Sequence, residues 1–406
     1  MGRMTDDSYS RLERFYRGLI GERAEQLRRL RERSGLKIAR AVPGRFDRAR
    51  LWRLVEELKL IVGRAQREFA PRPVYDDAVL IDTELAGRLS EQRVLDEGGV
   101  YIQAAPSYLV IRHLQGVSPE SMNGGESAEG GGPTASQIEE ASYALDLCAS
   151  PGGKALHVYD RFERRRPVIA NEYSQARRMR LVSVLRTYGA EELPMVGIDA
   201  GTVCRFAVNE IPLIVLDAPC SGEAHLVRNA KALSQWRPRQ TQMLALRQRG
   251  MASSAIHALK PGGILLYSTC TISPFENELM VDDLLKRFGD AIEPIPWPKG
   301  VIDEFANDPA DLEVLSEVEG KQIDERIVRC AWRFWPAALG EPFFAVQIRK
   351  VKPTQPKREA KPVPIGYPHH KSKQARRPVR VGPAGREYAV PSEWPELPGL
   401  PYLRMG

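Results

Sequence analysis

The chain has 406 residues, 43% of them hydrophobic, and a formal net charge of +7. That length allows two domains and a tail, and no apolar run approaches the ~18 residues of a membrane-spanning helix. The opening Met1-Gly2-Arg3-Met4-Thr5-Asp6-Asp7 lacks an apolar signal core and carries acids early, which speaks against a leader peptide.

In chain order, residues 8–35 predict one amphipathic helix, with Tyr9, Leu12, Phe15, Tyr16, Leu19 and Ile20 at helical spacing. Residues 35–42 alternate like a strand and stop at Pro43-Gly44. Asp47 caps an expected helix over 48–61, whose apolar face is read as Leu51, Leu54, Val55, Leu58 and Leu60. Short strands are expected at 77–82 and 99–103. Ser118 to Ser136 is glycine-rich and patternless, the signature of a flexible surface insertion. Strand patterns then fall at 143–148, 167–171, 194–198, 212–217 and 263–269, and helical patterns near 153–162, 174–188, 238–259 and 275–287. This alternation predicts an α/β unit with a mostly parallel sheet covered on both faces. Phe343–Arg349 reads as a closing strand. From 351 onward, 11 prolines in 56 residues and little periodicity predict an extended or disordered tail.

Charge and cysteines narrow the class. Residues 1–50 carry 14 Lys/Arg against 7 Asp/Glu, and residues 351–406 carry 11 against 4. Basic ends around an acidic middle suit a polyanion partner, although a solvated surface also explains them. The five cysteines, at 148, 204, 220, 270 and 330, form no CxxC pair, so no metal site is expected. Unpaired thiols fit a reducing compartment.

Three strand ends carry chemistry. The first runs Asp146-Leu147-Cys148-Ala149-Ser150-Pro151-Gly152-Gly153-Lys154 into a helix, a glycine turn that lets backbone approach a ligand. The next strands end at Asn171-Glu172, where an acid can accept ribose hydroxyls, and at Asp199, placed for an adenine edge. Together 148–154, Glu172, Asp199 and Asp217 describe an S-adenosylmethionine pocket. Two further strands end in Asp217-Ala218-Pro219-Cys220-Ser221-Gly222 and Ser268-Thr269-Cys270-Thr271. A thiolate adding to carbon 6 of cytosine makes carbon 5 able to attack an electrophilic methyl, and a second thiol can assist release. The Pro-Cys-Ser-Gly turn suits a helix N-terminus that favours a thiolate at Cys220. Asp217 can face both cofactor and base; Lys154 can steady the base or a phosphate. Read singly, each residue has a plainer role: a tight turn, a helix cap, an exposed lysine, a buried small hydrophobe, or a disulfide between the two cysteines.

The segments LDLCASPGGK at 145–154, VLDAPCSGE at 215–223 and GGILLYSTCTISPFENE at 262–278 resemble the Sun-domain (Nop/Sun) RNA cytosine-5 methyltransferases. Trp236, Gln248, Gly99–Gln103, Arg333–Pro336 and Phe343–Ala345 fit the same pattern. The resemblance implies a Rossmann-like class I methyltransferase domain over 99–350. An α+β RNA-binding region over 1–98 would precede it, and a basic proline-rich tail over 351–406 would follow. It makes Cys270 the nucleophile and gives Cys220 the release step; the residues alone leave their order open. It assigns Cys148, Ala149, Ser150, Pro151, Gly152, Gly153, Lys154, Glu172, Asp199 and Asp217 to S-adenosylmethionine. The implied partner is structured RNA, with ribosomal RNA favoured over transfer RNA. The expected protein is a cytoplasmic monomer (nuclear or nucleolar in a eukaryote) with no membrane partner. The sequence departs from the family at Ala224-His225, at Ala337 and at Pro342. Two other readings stay open: an RNA-binding assembly factor without turnover, and a methyltransferase acting on another base or on protein.

Overall fold

The apolar spacing of the first thirty residues produces two helices rather than one. In the computed structural model α1 (Asp6–Ile20) ends at a 3-10 turn over Gly21–Glu25, and α2 (Gln26–Glu32) follows. Gly21, at φ +56°, takes a backbone that a helix interior does not tolerate, and the single long helix is broken there. The structure describes residues 6–32, 35–62, 70–116, 141–306, 308–356, 379–381 and 387–389. The 118–136 insertion and most of the basic tail lie outside the described residues.

Residues 35–116 build a four-stranded antiparallel sheet: β1 (Lys37–Ala41), β2 (Arg72–Tyr75), β3 (Ala78–Ile81) and β4 (Val100–Ala104), in the order β2-β3-β1-β4. Helix α3 (Arg48–Val62) starts where Asp47 accepts the Arg50 amide at 2.8 Å, the expected cap. It buries Leu51, Val55 and Leu58 against Val79, Ile81 and Val100. Leu60, expected on that face, is 84% exposed, because two residues past Leu58 a helix has turned ~200°. Two short helices, α4 (Thr83–Ser90) and α5 (Arg93–Asp96), lead back to β4, and α6 (Ala105–Arg112) follows it.

The larger unit is an eight-stranded sheet. Its strands are β5 (Ala144–Asp146), β6 (Val168–Asn171), β7 (Met195–Val196), β8 (Ile211–Asp217), β9 (Leu259–Thr269), β10 (Ile292–Ile295) and two closing strands. A small hairpin, β11 (Glu317–Val318) and β12 (Lys321–Gln322), stands apart; β13 (Trp332–Phe334) and β14 (Phe343–Lys350) complete the sheet. The order is β10-β14-β9-β8-β5-β6-β7, with β13 beside β14. β5, β6, β7, β8 and β9 pair in parallel, while β10, β13 and β14 run antiparallel. The helices between them are α7 (Gly153–Arg161), α8 (Gln175–Thr187), α9 (Glu223–Arg228), α10 (Ala230–Gln235), α11 (Pro238–Ala258) and α12 (Glu278–Phe288). Apolar clusters lie on both faces of the sheet, as its near-continuous Val/Ile/Leu strands require. Beyond residue 356, within the expected extended tail, β15 (Val379–Val381) and β16 (Glu387–Ala389) pair antiparallel.

Two contacts fix the site. Arg40 of β1 pairs with Asp160 of α7, both buried, and locks the small sheet to the large one. The first two helices leave the small sheet altogether: Leu12, Tyr16, Leu27 and Leu30 pack with Leu226, Trp236, Ile272 and Trp335. Each fully buried side chain of this kind contributes roughly 1.5–3 kcal/mol. Among the described residues no helix is long and apolar enough to cross a membrane.

Candidate active site

The chain leaves β5 for β6 on one side of the sheet and returns to β8 on the other. In such a sheet the loops at the carboxyl ends open a crevice at that reversal. Asp146 ends β5, Asp217 ends β8, and Asp217 stands opposite Ser268 of β9. The glycine loop, the Pro-Cys turn and the Thr-Cys turn therefore meet at one edge.

Their side chains converge. Lys154 Nζ donates to Asp217 Oδ2 at 2.7 Å, and Ser268 Oγ donates to Asp217 Oδ1 at 2.8 Å. Cys220 Sγ and Cys270 Sγ lie 3.2 Å apart as free thiols, so the disulfide alternative does not hold. Cys220 is half-buried and Cys270 exposed. A cavity of about 270 Å³ joins Asp146, Lys154, Asp217, Cys270, Tyr101 of β4 and Phe343 of β14. Cys148, Ala149, Ser150, Pro151 and Gly153 line it as well. The Lys154 ammonium sits 5.4 Å from the Phe343 ring centre.

Electrostatics divide the thiols. The hydrogen bond with Cys270 pushes the Cys220 thiol well up, and burial and the carboxylates of Glu276 and Glu223 add to the shift. The expectation of a thiolate-favouring helix end at Cys220 is thereby corrected. Helix α9 has only six residues, and its first, Glu223, is an acid. Burial, helped by Asp217, pushes Asp146 up to about 7. Burial and the nearby acids also push the Cys148 thiol up.

Glu172 and Asp199 stand at the expected strand ends but do not line the cavity. Glu172 is buried; it accepts the Ser174 amide at 2.8 Å and pairs with Arg177 at 3.3 Å. Asp199 accepts the Gly201 amide at 2.9 Å and caps a 3-10 turn, the plainer of its two expected roles. His225 is exposed. Sequence reasoning missed Asp146, Asn171, Glu223 and Glu276. Asn171 ties the strand ends together, donating to Leu147 O at 2.8 Å and accepting the Ile198 amide at 2.9 Å. The signal available was polarity: each stands in or beside a strand-end motif where an apolar residue would serve packing.

Comparison with known proteins converges on one family. The family model described as 16S rRNA methyltransferase RsmB/F matches residues 134–349. Ribosomal RNA small subunit methyltransferase F of Aeromonas salmonicida is 32% identical over 215 residues, which is 53% of this chain and 41% of that protein. The same-named protein of Serratia proteamaculans is 36% identical over 159 residues, 39% of this chain and 33% of that protein. The chain thus spans well under half the length of these curated relatives. Among solved structures, a methyltransferase homologue from Pyrococcus horikoshii has a TM-score of 0.59 at 21% identity, covering 86% of this chain and all of that one. NSun6 from Pyrococcus horikoshii, solved with SFG, has a TM-score of 0.59 at 19% identity, covering 84% of this chain and 98% of that one. These structures share the fold. Since the family model spans more than half of its residues, including all three strand-end motifs, this chain belongs to the 16S rRNA methyltransferase RsmB/F family.

Proposed function

We propose that this chain is an S-adenosylmethionine-dependent RNA methyltransferase that forms 5-methylcytosine, with ribosomal RNA as its substrate, through a covalent bond between Cys270 and carbon 6. The observation that carries this reading is the pair of free thiols 3.2 Å apart beside the Lys154–Asp217 pair. Amine methylation needs no thiol nucleophile, so the paired cysteines favour carbon methylation over the other methyltransferase readings.

The glycine loop fits an adenosyl donor. A side chain at Gly153 would place its Cβ 2.8 Å from Tyr101 Oη, and one at Gly152, at φ +128°, would meet Val184 at 3.0 Å. Cys148 to Lys154 would hold the donor. Glu172 and Asp199 stand outside the cavity lining, already accepting the Ser174 and Gly201 amides, and would add ribose and base-edge contacts only beyond that lining. When bound, it supplies an electrophilic methyl group.

The protein residues then divide the work. Cys270, the exposed thiol, adds as thiolate to carbon 6, and the carbon 5–carbon 6 electrons become available to take the methyl. Asp217, pinned by Lys154 and Ser268, accepts from the polar edge of the base and fixes its orientation. Solvent reaching the open cavity takes the carbon 5 proton, which restores the double bond and expels Cys270 as thiolate. Cys220, kept as a thiol, donates a hydrogen bond to the departing sulfur. The target base must leave any duplex to reach this cavity.

The test is methyl transfer from labelled S-adenosylmethionine to ribosomal RNA by the wild type and by Cys270→Ala. Label recovered as 5-methylcytosine with the wild type alone is the expected result. RNA binding without label from either protein would overturn the reading in favour of an assembly factor.

A further inference from the structure

Beneath the two cysteines lies a set of buried acids that the steps above do not use. Glu223 opens α9 after Cys220, and Glu276 precedes α12 after Cys270; both are fully buried. Each reaches across to the other cysteine's turn. Glu276 Oε2 accepts the amide of Ser221, the neighbour of Cys220, at 3.0 Å. Glu223 Oε2 accepts the amide of Ile272, in the Cys270 turn, at 3.0 Å. The Ser221 hydroxyl donates to Glu276 and lies 3.0 Å from Thr271 Oγ1.

The far side is closed by elements distant in sequence. Gln248 of α11 donates to Glu276 Oε2 at 2.7 Å and to Pro219 O at 2.8 Å. Tyr16 of α1, fully buried, donates its hydroxyl to Glu223. No cation pairs with either acid among the described residues; the nearby Arg333 is committed to Glu278 at 2.6 Å. Two buried carboxylates this close do not both ionise freely, and burial with Glu223 beside it pushes Glu276 up to about 7.

We propose that Glu223 and Glu276 are positioning residues. The pair clamps the two cysteine turns together and holds Cys220 as a thiol that donates to Cys270, while Tyr16 closes the clamp from the N-terminal helix. The groups facing Cys220 are Cys270 and Tyr267 from β9 and its turn, Glu276, Glu223 and, through Glu223, Tyr16. Of these groups only the two carboxyls can carry a negative charge at neutral pH, and as a buried pair they do not carry two freely. The role in catalysis rests on the function proposed above; the test needs neither RNA nor methyl donor.

The full chain carrying Cys270→Ser is alkylated with iodoacetamide across a pH series, and Cys220 is followed by peptide mass spectrometry. Adding Glu276→Gln or Glu223→Gln removes one negative charge. The Cys220 midpoint should move to lower pH, with alkylation at pH 8 rising about tenfold, the change in thiolate for one pKa unit. A purely mechanical brace would raise alkylation at every pH and leave the midpoint in place. Should the Gln variants lose their fold, Tyr16→Phe is read instead. Without the hydroxyl the buried carboxylate pair loses a donor to its charged form, and the midpoint again moves to lower pH. Midpoints that superimpose on the Cys270→Ser background overturn the proposal. Shifted midpoints together with a wild-type chain that transfers no methyl leave the clamp standing and count against the proposed function.

Discussion

Cys220 Sγ and Cys270 Sγ lie 3.2 Å apart, although 50 positions separate the two residues in the chain. Parallel pairing of β8 with β9 produces this contact, since Cys220 lies three residues past the end of β8 and Cys270 directly follows β9. The two thiols are not equivalent: one is exposed, the other half-buried and held protonated. Cys270→Ala should abolish methyl transfer. Cys220→Ala should retain attack and slow release by roughly 10²–10⁴-fold, the usual contribution of a positioned proton donor. A covalent RNA–protein band in denaturing gels should then accumulate for Cys220→Ala and be absent for Cys270→Ala.

The Lys154–Asp217 pair orients the base in this reading. Asp217→Asn keeps the shape but leaves Lys154 without its counter-charge, at a position where the lysine side chain is 10% exposed and the aspartate 35%. Because the aspartate side is partly open to solvent, the stability loss should stay near ~1 kcal/mol. The rate constant at saturating RNA should fall far more than RNA affinity, and single-turnover kinetics beside filter binding separates the two.

Asp146 makes stability depend on pH. Burial raises its folded pKa to about 7, whereas the unfolded chain titrates near ~3.9. The folded state therefore keeps a proton that the unfolded state releases. Its contribution is complete below pH ~4 and is lost as pH rises toward 7. Asp146→Asn should flatten that decline by on the order of 4 kcal/mol, at about 1.4 kcal/mol per unit. Denaturant melts at pH 4.5 and 7.5, wild type against variant, measure it.

Arg333 and Glu278 form a buried pair, 2% and 0% exposed, and Arg333 also donates to Ile272 O beside the Cys270 turn. Arg333→Met should cost roughly 3–5 kcal/mol by stranding Glu278. The double variant with Glu278→Gln should regain a large part of that loss. Equal melting temperatures for the single and double variants would contradict the explanation.

The tail from residue 360 onward carries eight Lys/Arg in 47 residues. If it meets RNA phosphates, ending the chain at 359 should weaken RNA binding and lower the slope of log K against log salt by up to ~0.7–0.9 per lost contact. A titration series between 50 and 200 mM salt checks it; an unchanged slope assigns the charge to solvated surface.

Much of the fold was legible because the strands of a sheet covered on both faces read as short apolar runs. β5, β6, β8, β9 and β14 all lie within a few residues of where the sequence puts them. α6 was not legible: Ala105–Arg112 is buried on every side, so it has no polar face to set a helical period. β10 and β13 are too short to show alternation. Leu60 was misread because hydrophobicity says nothing about which way a side chain points once the helix has turned.

The sequence by itself determined the reactive groups and their strand ends: the glycine loop, Asp217, Cys220 and Cys270 are local features with local motifs. Only the tertiary structure decided what surrounds them. Tyr16 reaches Glu223 across 207 positions, and Glu276 reaches Ser221 across 55. Periodicity carries no information about contacts that distant. The protonation of Cys220 depends on buried charge within a few ångströms, and such distances exist only after the chain has folded.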